Sequence, residues 1–179
     1  MAARNNSINA TLFVVGWLAC LLGGYSGWLL VALVALVMHF ALVSSWSAEG
    51  KTVVSTMLAG AALDSFMLQM SLFSYPGDPA LVPLWQALFW ALLGTTLNHS
   101  LAWSGRTWWL ASTVGAVAAL AVYSAIAGLR GVNLGQEPAT TLAIAAISWA
   151  VLFPLLHGFA QLYREQYRMK LAESRNKRR

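Results

Sequence analysis

Charged side chains make up only 9% of this 179-residue chain, whereas 59% of it is hydrophobic. A soluble domain carries about a quarter charged residues. A water-facing fold is thereby excluded for most of the sequence, and lipid is the solvent that suits it. Cysteine is nearly absent too, with Cys20 the single one, inside the first apolar run. One thiol forms no intrachain disulfide, and there is no Cys/His zinc pattern, so Cys20 reads as a small packing residue. Also missing are a P-loop, a Gly-x-Ser-x-Gly elbow, a His-Glu-x-x-His motif and a DxxD-type acidic pair for magnesium–phosphate chemistry. Few charges line the apolar runs, which argues against a wide aqueous ion pore. No small-x-small cleavage site closes the first run after Arg4, so it reads as a retained span rather than a signal peptide.

What is present is a succession of apolar stretches, each bounded by Gly, Pro, Ser or charge. A spanning helix needs about 20 mostly apolar residues, and six stretches qualify: 8–25, 27–46, 52–73, 80–103, 107–129 and 139–162. They are too long and continuous for barrel strands, so helices are expected. The predicted fold is an all-α integral membrane bundle of six transmembrane helices in three hairpins. Residues 1–163 form its membrane domain and 164–179 a basic tail that continues the last helix. Gly23, Gly24, Ser26 and Gly27 supply the first turn. Asp78, between Gly77 and Pro79, reads as a turn residue. Gly16, Cys20 and Gly24 on the first helix, and Gly115 and Ala119 on the fifth, form small-residue stripes for close helix packing. Pro154 falls inside the sixth.

The net charge of +5 is concentrated rather than spread: Arg164, Arg168, Lys170, Arg175, Lys177, Arg178 and Arg179 all lie in the tail. That pattern excludes a nucleic-acid-binding face and suits anionic lipid headgroups. With the N-terminus inside, Arg4, Lys51, Arg106 and the tail are cytoplasmic and only Arg130 is outside, which sets the expected orientation in an inner membrane. The expected partners are the bilayer and its anionic headgroups, with a cytoplasmic or membrane protein partner left open.

Polar residues inside spans are costly and need a reason. Asp64 falls roughly 18 Å into the third helix, near the midplane. Gly60, Asp64, Met67 and Ser71 share one helical face, so Asp64 is expected to point into the bundle. It reads either as a proton carrier, general base or substrate anchor, or as an interhelical hydrogen bond that fixes packing. The segment GTTLNHSL of the fourth helix offers its expected partners. Asp64, Asn98 and His99 are the candidate catalytic residues, and Thr95 and Thr96 the candidate substrate-binding ones. His39, His99 and His157 recur near the inner ends of helices two, four and six. If all three faced inward they would suit a transition metal, a haem or a proton relay; no metal or cofactor is assigned.

Three segments resemble a bacterial inner-membrane family, domain of unknown function 2878: VGWLACLLGG, LDSFMLQMSLFSYPG around Asp64, and PLWQALFWALLGTTLNHSLAW. The resemblance spans most of the chain, with little from the sixth helix and tail. It implies a multi-spanning inner-membrane protein of Gram-negative bacteria without a settled activity. Its genes are often placed beside cyclopropane-fatty-acid-synthase-like methyltransferases and flavin-dependent amine-oxidase-like proteins, which implies a role around fatty-acyl modification. The resemblance carries over no catalytic residues. Three functions therefore stay open: an accessory or enzyme of fatty-acyl or lipid modification, a small proton-coupled transporter or flippase-like carrier, and a structural scaffold binding a partner through its helices.

Overall fold

In the computed structural model, residues 2–24, 26–135 and 137–177 are described. The expected end of the first span at Tyr25, Gln136 of the last loop, and Arg178 and Arg179 of the tail lie outside them. Six α-helices account for most of the described residues: α1 (Ala2–Gly23), α2 (Leu29–Leu42), α3 (Trp46–Gln69), α4 (Leu84–Thr96), α5 (Trp108–Arg130) and α6 (Pro138–Asn176). A 3-10 turn, Ser104–Arg106, precedes α5. An isolated antiparallel bridge pairs Ser74 with Asn133.

The all-helical architecture is as expected, but several boundaries move. Apolar Trp46 opens α3 instead of closing α2, because Ser45 is extended there (φ −131, ψ 153). The longest departure is α4. Pro83 sits ahead of its first turn (φ −59, ψ 151), so the helix cannot begin at Ala80. It stops at Thr96, where Thr95 and Thr96 hydroxyls donate to the Leu92 and Leu93 carbonyls at 2.6 Å; such back-bonding competes with a regular ladder. Leu101 N then bonds Thr96 O, and Ser104 N bonds Leu101 O, carrying the chain through tight turns into the 3-10 segment. At the other extreme, α6 starts at Pro138, whose fixed φ suits a first helical turn. It runs unbroken through Pro154 and across position 163 into the tail, where Glu173 and Lys177 pair at 2.7 Å.

Among the described residues, three helices are long and apolar enough to cross a membrane: Arg4–Gly23, Trp108–Arg130 and Pro138–Asn176. Leu29–Leu42 is apolar but shorter. Their outer faces carry exposed apolar side chains at helical spacing, such as Leu30, Val34 and Val37 on α2, or Ile147, Val151 and Leu155 on α6. A water-facing helix would place charge there.

α4 is the centre of the bundle. Eleven of its thirteen residues are buried, as expected of a helix wrapped on every side. It packs against α1, α2 and α3, and its Trp90 ring lies 4.5 Å from Trp149 of α6. Small residues permit the approach: a Cβ at Gly94 would meet Val53 Cα at 2.9 Å, and one at Gly60 would run into the Trp90 indole. Gly16 faces Leu92 and Ala35, and Gly115 faces the Trp149 carbonyl and Phe153, so both expected stripes do meet neighbouring helices. Gly24 instead belongs to the turn after α1 (φ 51). Ser71 leaves the shared face of α3 for a positive φ of 56 beyond the helix end.

One end of the bundle gathers the start of α1, the end of α2, the start of α3, the turn after α4 and the tail-bearing part of α6. Contacts across that end include Asn9 with Ser100, His39 with Glu49, Lys51 over the Tyr163 ring and Ser104 with His157. The other end holds the 72–83 loop, with Arg130 over the Trp85 ring at 5.4 Å.

Candidate functional site

Two buried polar clusters stand out. The first is built on Asp64, which is 0% exposed. Its Oδ2 accepts from Gln86 Nε2 at 2.8 Å and from Trp90 Nε1 at 2.7 Å, one helical turn apart on α4. Its Oδ1 accepts from the Tyr123 hydroxyl of α5. Trp149 of α6 packs on both the Trp90 and Tyr123 rings. Asp64 points into the bundle as expected, but its partners are Gln86, Trp90 and Tyr123 rather than Thr95, Thr96 or Asn98. The reason is register: α3 and α4 run past each other so that Asp64 meets the first half of α4, whereas the polar segment occupies its last turn and the residues that follow. Three donors fill most of a carboxylate's acceptor sites, in a setting walled by aromatic rings.

The second cluster lies at the tail-bearing end. Glu49, in the first turn of α3 and ahead of the apolar run that begins at Thr52, is the hub. Its Oε2 lies 3.0 Å from His39 Nε2, and its Oε1 lies 2.9 Å from His99 Nε2. The two imidazoles are 5.4 Å apart between centroids. Behind His39 stands Asn9 of α1, with Nδ2 3.2 Å from His39 Nδ1. Asn9 Nδ2 also donates to Thr95 O and Oγ1 at 3.1 and 3.2 Å, and Asn9 Oδ1 accepts from Ser100 N and Oγ at 3.3 and 2.6 Å. Asn9 and His39 are sealed, while the His99 side chain keeps 16% of its surface. Burial pushes the Glu49 carboxyl up, but the hydrogen bonds of His39 and His99 outweigh it and hold the group down to about 2. The hub is a carboxylate, not a carboxylic acid.

The structure thus divides the predicted residues. His99 and Thr95 join the second cluster and Asp64 the first, so Asp64 and His99 do not form one site. Thr96 only bonds back along its own helix, and half-buried Asn98 makes no hydrogen bond to either cluster. His39 and His99 meet, but His157 does not join them: its Nε2 pairs with Ser104 Oγ at 2.8 Å. The three histidines therefore do not share one site; two of them meet at Glu49. His39, Glu49 and His99 each offer a ligand atom, all within 4.8 Å of one another, a donor set that suits divalent transition metals. Glu49 and Asn9 were missed because one reads as part of a short connector and the other as an isolated polar residue in an apolar run. An acid ten positions after a histidine, at the boundary of a span, was the available signal.

No curated protein and no solved structure matches the chain. One family model takes in every residue of both clusters, from Asn9 to Trp149, and leaves out His157 and the tail. The chain belongs to the family described as protein of unknown function DUF2878, which matches residues 6–155.

Proposed function

We propose that the protein crosses the bacterial inner membrane six times with both ends in the cytoplasm, and that its His39–Glu49–His99 cluster serves a modification of membrane lipid, as an enzyme or its accessory subunit. The carrying observation is the convergence of two imidazoles on one ionised carboxylate, with His99 partly open, at the end that holds Lys51 and the tail. Basic residues favour the cytoplasmic side, so this end would sit at the inner headgroup layer. There His99 would exchange a proton with a bound lipid while Glu49 steadies the charge, the division of labour a positioned acid–base pair requires. A groove of about 230 Å³ supports a lipid ligand: Phe13 and Trp17 of α1, Phe89 and Leu93 of α4, Val122 of α5 and Phe153 of α6 are among its exclusively apolar lining.

A scaffold role is the second reading, favoured by the filled interior and the same outer groove. A proton-coupled carrier built on Asp64 has least support, because that carboxylate is fully buried and accepts three hydrogen bonds. Lipid mass spectrometry of cells lacking the gene, complemented with wild type or His99→Ala, tests the proposal. Lipid species that return with wild type but not with His99→Ala, at equal protein level, are expected. A lipid profile unaffected by deletion would overturn lipid modification. Full complementation by His99→Ala together with loss in a groove-filling Ala121→Trp would favour the scaffold.

A further inference from the structure

The His39–Glu49–His99 set has the composition of a metal site, yet what stands behind it has the opposite polarity. An asparagine amide can face either way, and its orientation has to be fixed by groups whose own polarity is unambiguous. Here two main-chain groups do so. Ser100 N–H can only donate, so the Asn9 atom it meets at 3.3 Å is the oxygen. Thr95 C=O can only accept, so the atom it meets at 3.1 Å is the nitrogen. Asn9 therefore presents an N–H to His39 Nδ1 at 3.2 Å, and Nδ1 must offer a lone pair. The ring proton is then on Nε2, which donates to Glu49 Oε2 at 3.0 Å. A histidine that binds a metal through Nε2 needs the reverse, a bare Nε2 and an Nδ1–H that donates to a carboxylate or carbonyl behind it.

We propose that Asn9 is a positioning residue that holds His39 in the neutral Nε2–H tautomer and thereby makes this cluster a hydrogen-bonded acid–base site that rejects divalent metal. Its relevance to chemistry rests on the reading of the cluster as the working site; the tautomer itself does not. Locked in this way, His39 supplies Glu49 with one permanent hydrogen bond and leaves Oε1 facing His99. Asn9→Asp reverses the hydrogen bond behind His39, because a carboxylate accepts from Nδ1–H and frees Nε2 for a metal. Such outer partners are worth about 10–100-fold in metal affinity.

Two measurements on the full chain in detergent, neither requiring an activity, decide it. Nitrogen NMR of protein labelled with ¹⁵N-histidine, with His39 assigned from a His39→Gln sample, should show His39 protonated at Nε2 and bare at Nδ1. Zn²⁺ titration should show weak binding to wild type and binding about 10–100-fold tighter to Asn9→Asp, abolished again in Asn9→Asp/Glu49→Gln. A wild-type His39 carrying its proton on Nδ1, or wild-type Zn²⁺ binding that Glu49→Gln removes and Asn9→Asp fails to strengthen, would overturn the proposal. The wild-type NMR result stands even if a variant fails to fold. A lipid profile indifferent to His99 would sink the functional reading while leaving the tautomer assignment intact.

Discussion

Asp64 and Glu49 lie on the same helix, four turns apart, and the groups around them assign them different work. Asp64 is surrounded by donors from a glutamine, a tryptophan and a tyrosine, and none of these needs its charge to change. An amide in its place can keep Oδ toward Gln86 and Trp90 while its NH₂ donates to the Tyr123 oxygen, whose own proton can turn to Met67 Sδ, 3.8 Å away. Asp64→Asn should therefore accumulate and melt close to wild type. Asp64→Ala orphans buried donors at about 1–3 kcal/mol each and should melt well below it in a detergent thermal-shift assay. For Glu49 the relevant variable is pH. Its folded-state value is depressed from 4.5 to about 2, so the folded protein binds fewer protons than the unfolded one between these values. The stabilisation is complete above 4.5 and is lost as pH falls toward 2. The melting-temperature gap between wild type and Glu49→Gln should stay level down to that upper value and close below it. Asp64 was legible in the sequence because one acid in a long apolar run is conspicuous. Its partners were not, because Gln86, Trp90 and Tyr123 become partners only through the register of three helices.

At the scale of elements, the bundle depends on how closely α4 is held. Within α4, Gly94 lies directly against backbone, where a Cβ would meet Val53 Cα at 2.9 Å, and main chain cannot rotate away as a side chain can. Gly94→Leu should cost about 1–3 kcal/mol or more through overpacking, read as a lower melting temperature and reduced yield of folded protein. Leucine at Gly128, where nothing lies within 4 Å, should be nearly neutral. The stripes at Gly16 and Gly115 could be read from spacing alone. Gly60 and Gly94 could not, since each matters for the large partner opposite, Trp90 for the one and the α3 backbone for the other. Helix count and type followed from apolar runs. The shortness of α4 did not, because run length does not reveal where threonines and tight turns end a helix.

For the whole molecule, the distribution of basic residues and the polar cluster mark the same end. Reporter fusions after Arg106 and after the tail should read cytoplasmic, and one within the loop after Gly131 should read periplasmic; a periplasmic C-terminus would overturn the proposed six-span arrangement. Composition alone pointed to the bilayer as solvent, whereas the proposed site emerged only when α1, α2, α3 and the turn after α4 were brought together. The central claim, that function resides in the Glu49 cluster and not at Asp64, is tested most directly by complementing a deletion strain with Glu49→Gln and with Asp64→Asn and measuring membrane lipids by mass spectrometry at matched protein levels. Glu49→Gln should reproduce the deletion profile and Asp64→Asn the wild-type profile; the reverse result would contradict the account.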